Sequence, residues 1–262
     1  MSAPATTRRQ VFSDSWRRLA EVLPEVRRPW FAALMLAGVP MVTAIGLLVG
    51  IRMAHLLPGG ALLVEALCIL WMGLCMYAGF WHHRTRYRQR YGMQAYRHLF
   101  FRFLLPFFVG ANIALYFPLL VDGTPLLPRS LAYSLAAYAI VSMQLIELRG
   151  TQIVWDFEWR GFVYSVFPER GHIVTAGIFR WLRHPVYSAG MRFSLGLALL
   201  RNNWRAVACS LLLCAAMWYW GTVEESDLQR SDARYTGYRT RVPAYFATRP
   251  VQFWRFLLTG RD

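Results

Sequence analysis

Two groups of residues in the C-terminal part of the chain have the types and spacing to bind a small charged ligand. Arg183, His184 and Pro185 stand directly before an apolar run, and the adjacent acids Glu224 and Glu225 follow the next apolar run. Proline suits the first turn of a helix, whose unpaired backbone N–H groups can face an anionic group. Adjacent carboxylates repel each other unless a cation is near. The pattern predicts a site for a ligand that carries both charges.

The elements that must position these groups have the composition of membrane helices. Of the 262 residues, 56% are hydrophobic and only 16% are charged. A spanning helix needs about 20 predominantly apolar residues. Four runs meet this length and two further runs follow, at residues 30–51, 60–81, 99–121, 127–148, 186–200 and 204–222. The sequence predicts an all-α, polytopic transmembrane helical bundle of five to six membrane segments, which ends in a helical hairpin.

Basic residues indicate how the chain is oriented. The net charge is +15, and all the Lys and Arg residues are arginines. Most of these arginines lie between the apolar runs, where they can contact lipid headgroups rather than nucleic acid. The positive-inside rule places both termini and the ligand site in the cytoplasm, as in an inner (cytoplasmic) membrane protein. Three regions follow from this pattern: an N-terminal arm at 1–29, a four-helix transmembrane region at 30–148, and a C-terminal region at 149–262.

Four charged residues fall inside predicted spans, where an unpaired charge is costly. They either pair with one another or serve the site, and they are Glu65, Arg102, Glu147 and Arg192. Arg192 follows His184 by about two helical turns, so both side chains can share a face and Arg192 can contact a substrate headgroup. His82, His83 and His98 border the arginine-rich loop without a carboxylate or cysteine at ligand spacing, so no metal site is predicted.

An ordered set of motifs extends the two groups into a family pattern. In chain order it reads Val174-Thr175-x-Gly177, Arg183-His184-Pro185-x-Tyr187-x-x-Gly190, Glu224-Glu225-x-x-Leu228, Tyr235-x-x-Tyr238 and Arg241-Val242-Pro243. This set resembles the superfamily of isoprenylcysteine carboxyl methyltransferases and phospholipid methyltransferases. The resemblance covers residues 171–250, and the first four apolar runs show no specific match.

The resemblance implies S-adenosylmethionine as the methyl donor and a lipid-like or small hydrophobic acceptor that arrives from the bilayer. It assigns cofactor contacts to His172, Ile173, Val174, Gly177, Phe179, His184, Pro185, Tyr187, Gly190, Glu224 and Glu225. Catalytic roles are predicted for Arg183, His184, Arg192 and Arg241. Because a sulfonium is already an activated methyl donor, the site mainly aligns the acceptor. We expect His184 to contact the cofactor first and to act as a base second.

The acceptor stays open at this point. Prenylcysteine-type members resemble one another in an arginine about one helical turn before the acidic pair, where this chain has Trp220. An indole does not replace a bidentate guanidinium, so a phospholipid amine, a prenylcysteine carboxylate and a small thiol all remain candidates. Membrane sterol reductases that use NADPH are similar around Arg-His-x-x-Tyr but lack the acidic pair. The pattern favours a methyltransferase over such a reductase.

Overall fold

The structure is a computed structural model that describes residues 8–153, 162–170 and 173–260. Regular secondary structure in these residues is helical, and the extended segments contribute only an isolated bridge between Pro125 and Asn203. This confirms the predicted all-α class. The described residues divide into two compact units. Unit 1 holds residues 8–42, 71–109 and 162–170, and unit 2 holds 43–70, 110–153 and 173–260.

Ten helices are numbered here in chain order. They are α1 (Arg8–Val22), α2 (Pro29–Leu56), α3 (60–91), α4 (95–116), α5 (Arg129–Ile153), α6 (Val163–Val166), α7 (Pro185–Arg201), α8 (Trp204–Ser231), α9 (Arg234–Arg241) and α10 (Pro250–Thr259). Helices α3 and α4 each include a π-helical stretch, at Leu74–Trp81 and Phe100–Leu104. Short 3₁₀ turns join several helices, among them Gly92–Gln94 and Gly177–Arg180.

Four helical stretches of the described chain are long and apolar enough to cross a membrane. They are Pro29–Leu56, Gly60–Leu120, Arg129–Gly150 and Trp204–Arg230. The second has 61 residues and contains the predicted run at 60–81 and all but the last residue of the run at 99–121. Helix α7 has 17 residues and is shorter than a full crossing usually needs. The prediction of an integral membrane protein is supported by these four stretches.

In unit 1, the chain reverses direction at Gly92 and forms a helical hairpin. Gly92 has φ +54° and ψ −127°, a conformation that glycine adopts without the strain of a Cβ atom. The two arms then pack closely, because a Cβ atom on Gly79 would clash with the ring of Phe103. His83 stacks on the same ring with centroids 5.9 Å apart. The hairpin therefore brings the arginine-rich end of α3 beside the start of α4.

In unit 2, α7 and α8 form the predicted C-terminal hairpin, and α7 also packs along α5. Asn202 turns the chain in the left-handed region, at φ 55° and ψ 47°. Its side chain exchanges two hydrogen bonds with the backbone of Leu127, at 3.0 and 2.8 Å. Asn203 caps α8 by accepting from Ala206 N at 2.9 Å, which satisfies one of the unpaired N–H groups of the first turn. The hairpin returns the end of α8 to the level of the start of α7.

The charged residues inside the predicted spans do not all pair with one another. Glu65 is fully buried in unit 2, and neither carboxyl oxygen has a hydrogen-bond partner among the described residues. Arg192 instead donates a hydrogen bond to Ser188 O of its own helix, at a distance of 3.0 Å. A buried carboxyl without a partner costs free energy, since it lost its hydrogen bonds to water and regained none.

We predict that Glu65→Met raises the midpoint of thermal unfolding in detergent by about 3 °C, because an apolar side chain of similar size replaces an unpartnered carboxyl. Glu65→Gln is the matched control. It keeps a polar group in the same place, so we expect no gain from it. A midpoint that falls in Glu65→Met would contradict the absence of a partner.

Candidate active site

Glu225, near the end of α8, accepts hydrogen bonds from Arg183 and His184 and forms an ion pair with Arg239. Its Oε1 atom is 2.8 Å from Arg183 Nε and 2.9 Å from His184 Nε2, and its Oε2 atom is 2.9 Å from Arg239 Nε. The Glu225 side chain is 5% exposed and those of Arg183 and His184 are largely buried, so these two contacts are shielded from water and from salt, whereas the Arg239 side chain is 46% exposed. We call Arg183, His184, Glu225 and Arg239 the Glu225 cluster. The expected cation beside the acidic pair is thus supplied by the protein itself.

The imidazole of His184 lies between the two acids. Its Nε2 atom is bonded to Glu225, while its Nδ1 atom is 3.9 Å from Glu224 Oε2. Because a carboxylate can only accept, Nε2 carries the hydrogen of the bond to Glu225. Nδ1 is then the ring nitrogen that can gain or lose a proton. Adjacent positions on a helix point about 100° apart, so Glu224 and Glu225 reach different nitrogens of one ring.

The segment before α7 pairs with the segment after α9. Arg183 N donates to Pro243 O at 2.9 Å, and His184 N donates to Ala244 O at 3.0 Å. The Arg183 guanidinium adds bonds from Nη1 to Arg239 O and Val242 O, at 2.5 and 2.6 Å. The backbone N–H groups directly before α7 therefore bind this segment, and Arg183 serves mainly to hold the two segments together.

Tyr245 packs on the other side of His184. Its ring stacks on the imidazole with centroids 5.4 Å apart, and its hydroxyl donates to Trp218 O at 3.1 Å. Ser188 Oγ donates to Tyr245 O at 2.7 Å. Gly221 makes the approach of the tyrosine possible, because a Cβ atom there would clash with the Tyr245 hydroxyl. The orientation of His184 thus depends on a glycine of α8.

The turn before the cluster is attached to α9. Gly177 has φ +55° and begins the 3₁₀ turn that contains the buried Phe179. Phe179 O accepts a hydrogen bond from Tyr238 Oη at 2.6 Å. Burial raises the pKa of Tyr238 and of Tyr235, so both phenols stay protonated at neutral pH and Tyr238 can donate. Of the two tyrosines predicted as a motif, Tyr238 therefore anchors the turn, and the ring of Tyr235 packs against that of Tyr238.

The other predicted cofactor contacts differ in how deeply they are buried and in what they pack against. Pro185 is buried in the first turn of α7, and Tyr187 lies beside His184 with ring centroids 5.5 Å apart. Ile173 and Val174 are half-buried in the preceding extended segment. A Cβ atom on Gly190 would come within 3.0 Å of Met217 Cε, so this glycine permits close packing of α7 on α8. His172 lies outside the described residues.

The two further arginines predicted as catalytic are not part of the Glu225 cluster. Arg192 Nη1 bonds to Ser188 O and Oγ, and its guanidinium lies 5.2 Å from the ring centre of Phe246. Arg241 is exposed and its Nε donates to Gly237 O of its own helix at 2.9 Å. Their catalytic roles stay predictions. Arg192 does face the segment that follows Tyr245.

The sequence reasoning missed Arg239 and Tyr245. Arg239 follows Tyr235 by four residues, so helical spacing puts it on the same face as the buried tyrosine, and that spacing could have identified it. Tyr245 lies in an irregular segment, where neither period nor spacing predicts a stack on His184. Only the pairing of residues 183–184 with 243–244 brings it there.

We predict that Gly221→Ala destabilises the protein by about 1–3 kcal/mol and displaces Tyr245, because its Cβ atom overlaps the tyrosine hydroxyl. The measurement is the thermal unfolding midpoint in detergent. Gly237→Ala is the matched control, since a Cβ atom there meets nothing within 4 Å, and alanine in a helix should leave stability equal or slightly higher. Equal effects of the two substitutions would contradict this account.

The described geometry lies largely in a region that comparison with known proteins identifies. Residues 131–231 match the model of the phospholipid methyltransferase family. No curated protein and no solved structure matches the chain. The match begins before the resemblance seen in the motifs and includes most of the fourth apolar run, in which the motifs gave no sign of the family. Residues 131–231, called the family region below, are therefore similar to the phospholipid methyltransferase family, as the motifs predict.

Proposed function

We propose that the protein transfers a methyl group from S-adenosylmethionine to the amine of a membrane phospholipid. The observation that supports this most is the contact of His184, directly before α7, with both acids of α8: Glu225 at 2.9 Å and Glu224 at 3.9 Å, all three within residues 131–231. A membrane methyltransferase that acts on a lipid-like substrate agrees with the four apolar helices.

The donor set has the chemistry that S-adenosylmethionine requires. That molecule carries an ammonium, a sulfonium and a carboxylate. In the cluster, Arg183 and Arg239 pair with the carboxylate of Glu225, and the neighbouring carboxylate of Glu224 has the charge that binds an ammonium. The aromatic ring of Tyr187, 5.5 Å from the imidazole, offers a face to the sulfonium or adenine. The residues present therefore fit this cofactor.

Each residue then has a distinct task. Glu225 orients His184 and is itself oriented by the two arginines, while Glu224 binds the ammonium or a ribose hydroxyl. Ile173, Val174, Gly177 and Phe179 form the adjoining wall, since their segment is bonded to α9. The cofactor supplies a methyl group already activated on a sulfonium, so no protein nucleophile is required. Alignment and exclusion of water are the contribution of the chain.

An amine acceptor suits the residues better than a carboxylate. Prenylcysteine-type enzymes share an arginine at the position where this chain has the buried Trp220. No guanidinium is therefore available there to bind a carboxylate. An ammonium headgroup must lose a proton before it attacks, and His184 Nδ1 is the candidate base because Nε2 donates to Glu225. Arg192, beside Phe246, is placed to contact the phosphate of the same headgroup.

The test combines ligand binding with methyl transfer, using the full chain in detergent and in lipid nanodiscs. We expect S-adenosylmethionine and its demethylated product to bind, and radiolabelled methyl to appear in phosphatidylethanolamine rather than in prenylcysteine analogues or small thiols. Binding of NADPH alone would identify a reductase and overturn the proposal. Label in a prenylcysteine carboxylate or a thiol would keep the donor and overturn the acceptor.

We predict that Glu224→Gln weakens S-adenosylmethionine binding about tenfold, because a charge-assisted hydrogen bond to the ammonium is lost. The fold should be kept, because Arg183 and Arg239 still pair with Glu225 and glutamine keeps the size of the replaced side chain. Glu169→Gln is the matched control, because Glu169 is an exposed acid that pairs with Arg88 in unit 1. Affinities that fall equally in both variants would count against a cofactor contact at Glu224.

A second prediction compares two arginines of α9. Arg239→Gln should lower S-adenosylmethionine affinity about tenfold, because Glu225 then lacks one of its cations and His184 loses its fixed orientation. Arg241→Gln removes the same charge from the same helix, yet it breaks only a bond to Gly237 O. We expect less than a twofold change from it. A larger loss in Arg241→Gln would support the catalytic role predicted for Arg241 from the sequence.

A further inference from the structure

Unit 1 contains a cavity of about 350 Å³ whose lining is basic and aromatic. Its walls are Tyr87, Tyr91, Arg97, His98, Phe101 and Arg102. We call it the basic cavity. Its volume lies at the lower end of the range of about 300–1,000 Å³ that is typical of small-ligand sites. None of these residues belongs to the family region or to the Glu225 cluster.

Helical spacing on both arms of the hairpin builds the basic cavity. Tyr87 and Tyr91 are four residues apart on α3, and His98 and Arg102 are four apart on α4, so each pair forms one face. The reversal at Gly92 turns these faces toward each other. Tyr91 and His98 then lie with ring centroids 4.2 Å apart, and Arg102 Nη1 donates to Tyr87 Oη at 3.1 Å.

The charge of the basic cavity is only partly neutralised. Arg97 pairs through Nε with Glu25, whose carboxylate is buried. Arg102 is exposed and bonds to a neutral phenol, and none of the ion pairs between described residues includes it. No carboxylate lines the cavity. A guanidinium beside phenol hydroxyls and an imidazole presents hydrogen-bond donors to an oxyanion.

The position along the hairpin indicates where such an anion comes from. On α3, the apolar run ends at Trp81, and the arginine-rich stretch His82–Tyr91 follows it. The cavity thus lies where an apolar hairpin becomes polar, the level at which a bilayer carries its headgroup phosphates. Phe101 supplies an apolar wall for the part of a lipid next to the phosphate.

We propose that the basic cavity is a phosphate-binding site, with the Arg102 guanidinium as the principal ligand and the Tyr87 hydroxyl, His98 and Arg97 as further donors. Its natural ligand is the phosphate of an anionic membrane lipid. This site does not rest on the methyl-transfer proposal, and it uses no residue of that site.

The experiment is calorimetric titration of the full chain in an alkyl maltoside, with dioctanoyl phosphatidic acid, dioctanoylglycerol and inorganic phosphate as separate probes. We expect saturable binding of the phosphatidic acid and none of dioctanoylglycerol, which has the same chains without the phosphate. If phosphatidic acid binds and free inorganic phosphate does not, the bound phosphate comes from a lipid headgroup. Competition by inorganic phosphate at millimolar concentration shows that the phosphate group is the determinant, and both results support the site.

Variants distinguish the basic cavity from general surface charge. Arg102→Gln should weaken phosphatidic acid binding at least tenfold, and Tyr87→Phe about threefold, since each removes a donor. Arg86→Gln is the matched control, because it removes an exposed arginine of α3 that does not line the cavity. The proposal fails if Arg86→Gln weakens binding as much as Arg102→Gln, if dioctanoylglycerol binds equally well, or if no phosphate probe binds. Unfolding midpoints verify that each variant is folded.

Discussion

The candidate active site depends on the need of a buried carboxylate for positive charge. Glu225 lies in the last turns of α8 with its side chain removed from water, and an isolated ion in such a place would cost several kcal/mol. Arg183 and His184 each supply a hydrogen bond and Arg239 supplies an ion pair, and they come from the start of α7 and from α9. Because all three must reach one carboxylate, the ends of three helices are held at fixed positions.

That constraint extends to groups that carry no charge. Arg183 can reach Glu225 only while its backbone pairs with Pro243, and this pairing places Tyr245 against His184. Tyr245 in turn requires the missing side chain at Gly221. Adjacent acids therefore have separate roles: Glu225 is fully engaged by the protein, and Glu224 faces the other nitrogen of the imidazole. A pair that looks equivalent in the sequence becomes one positioning residue and one candidate ligand contact.

The parts of the structure that follow from local rules could be predicted from the sequence. Pro185 at the first turn of α7, the turn at residues 201–203 and the α7–α8 hairpin all depend on neighbouring residues, and the structure has them. Arg239 and Tyr245 depend on contacts across a segment without regular structure, which no periodicity encodes. Glu65 shows the same limit, because a charge inside a span suggests a partner, whereas the packing of unit 2 provides none among the described residues.

The limits of the family region carry a physical consequence. The match ends at residue 231, and it includes Arg183, His184, Glu224 and Glu225. Arg239 and the backbone partners of residues 183 and 184 lie beyond it. Without them, the buried carboxylate would keep the hydrogen bonds from Arg183 and His184 but lose the ion pair with Arg239, and the stack on His184 would be lost. The residues after α8 therefore complete the electrostatic balance of the site, so the family region and this tail act as one unit of structure.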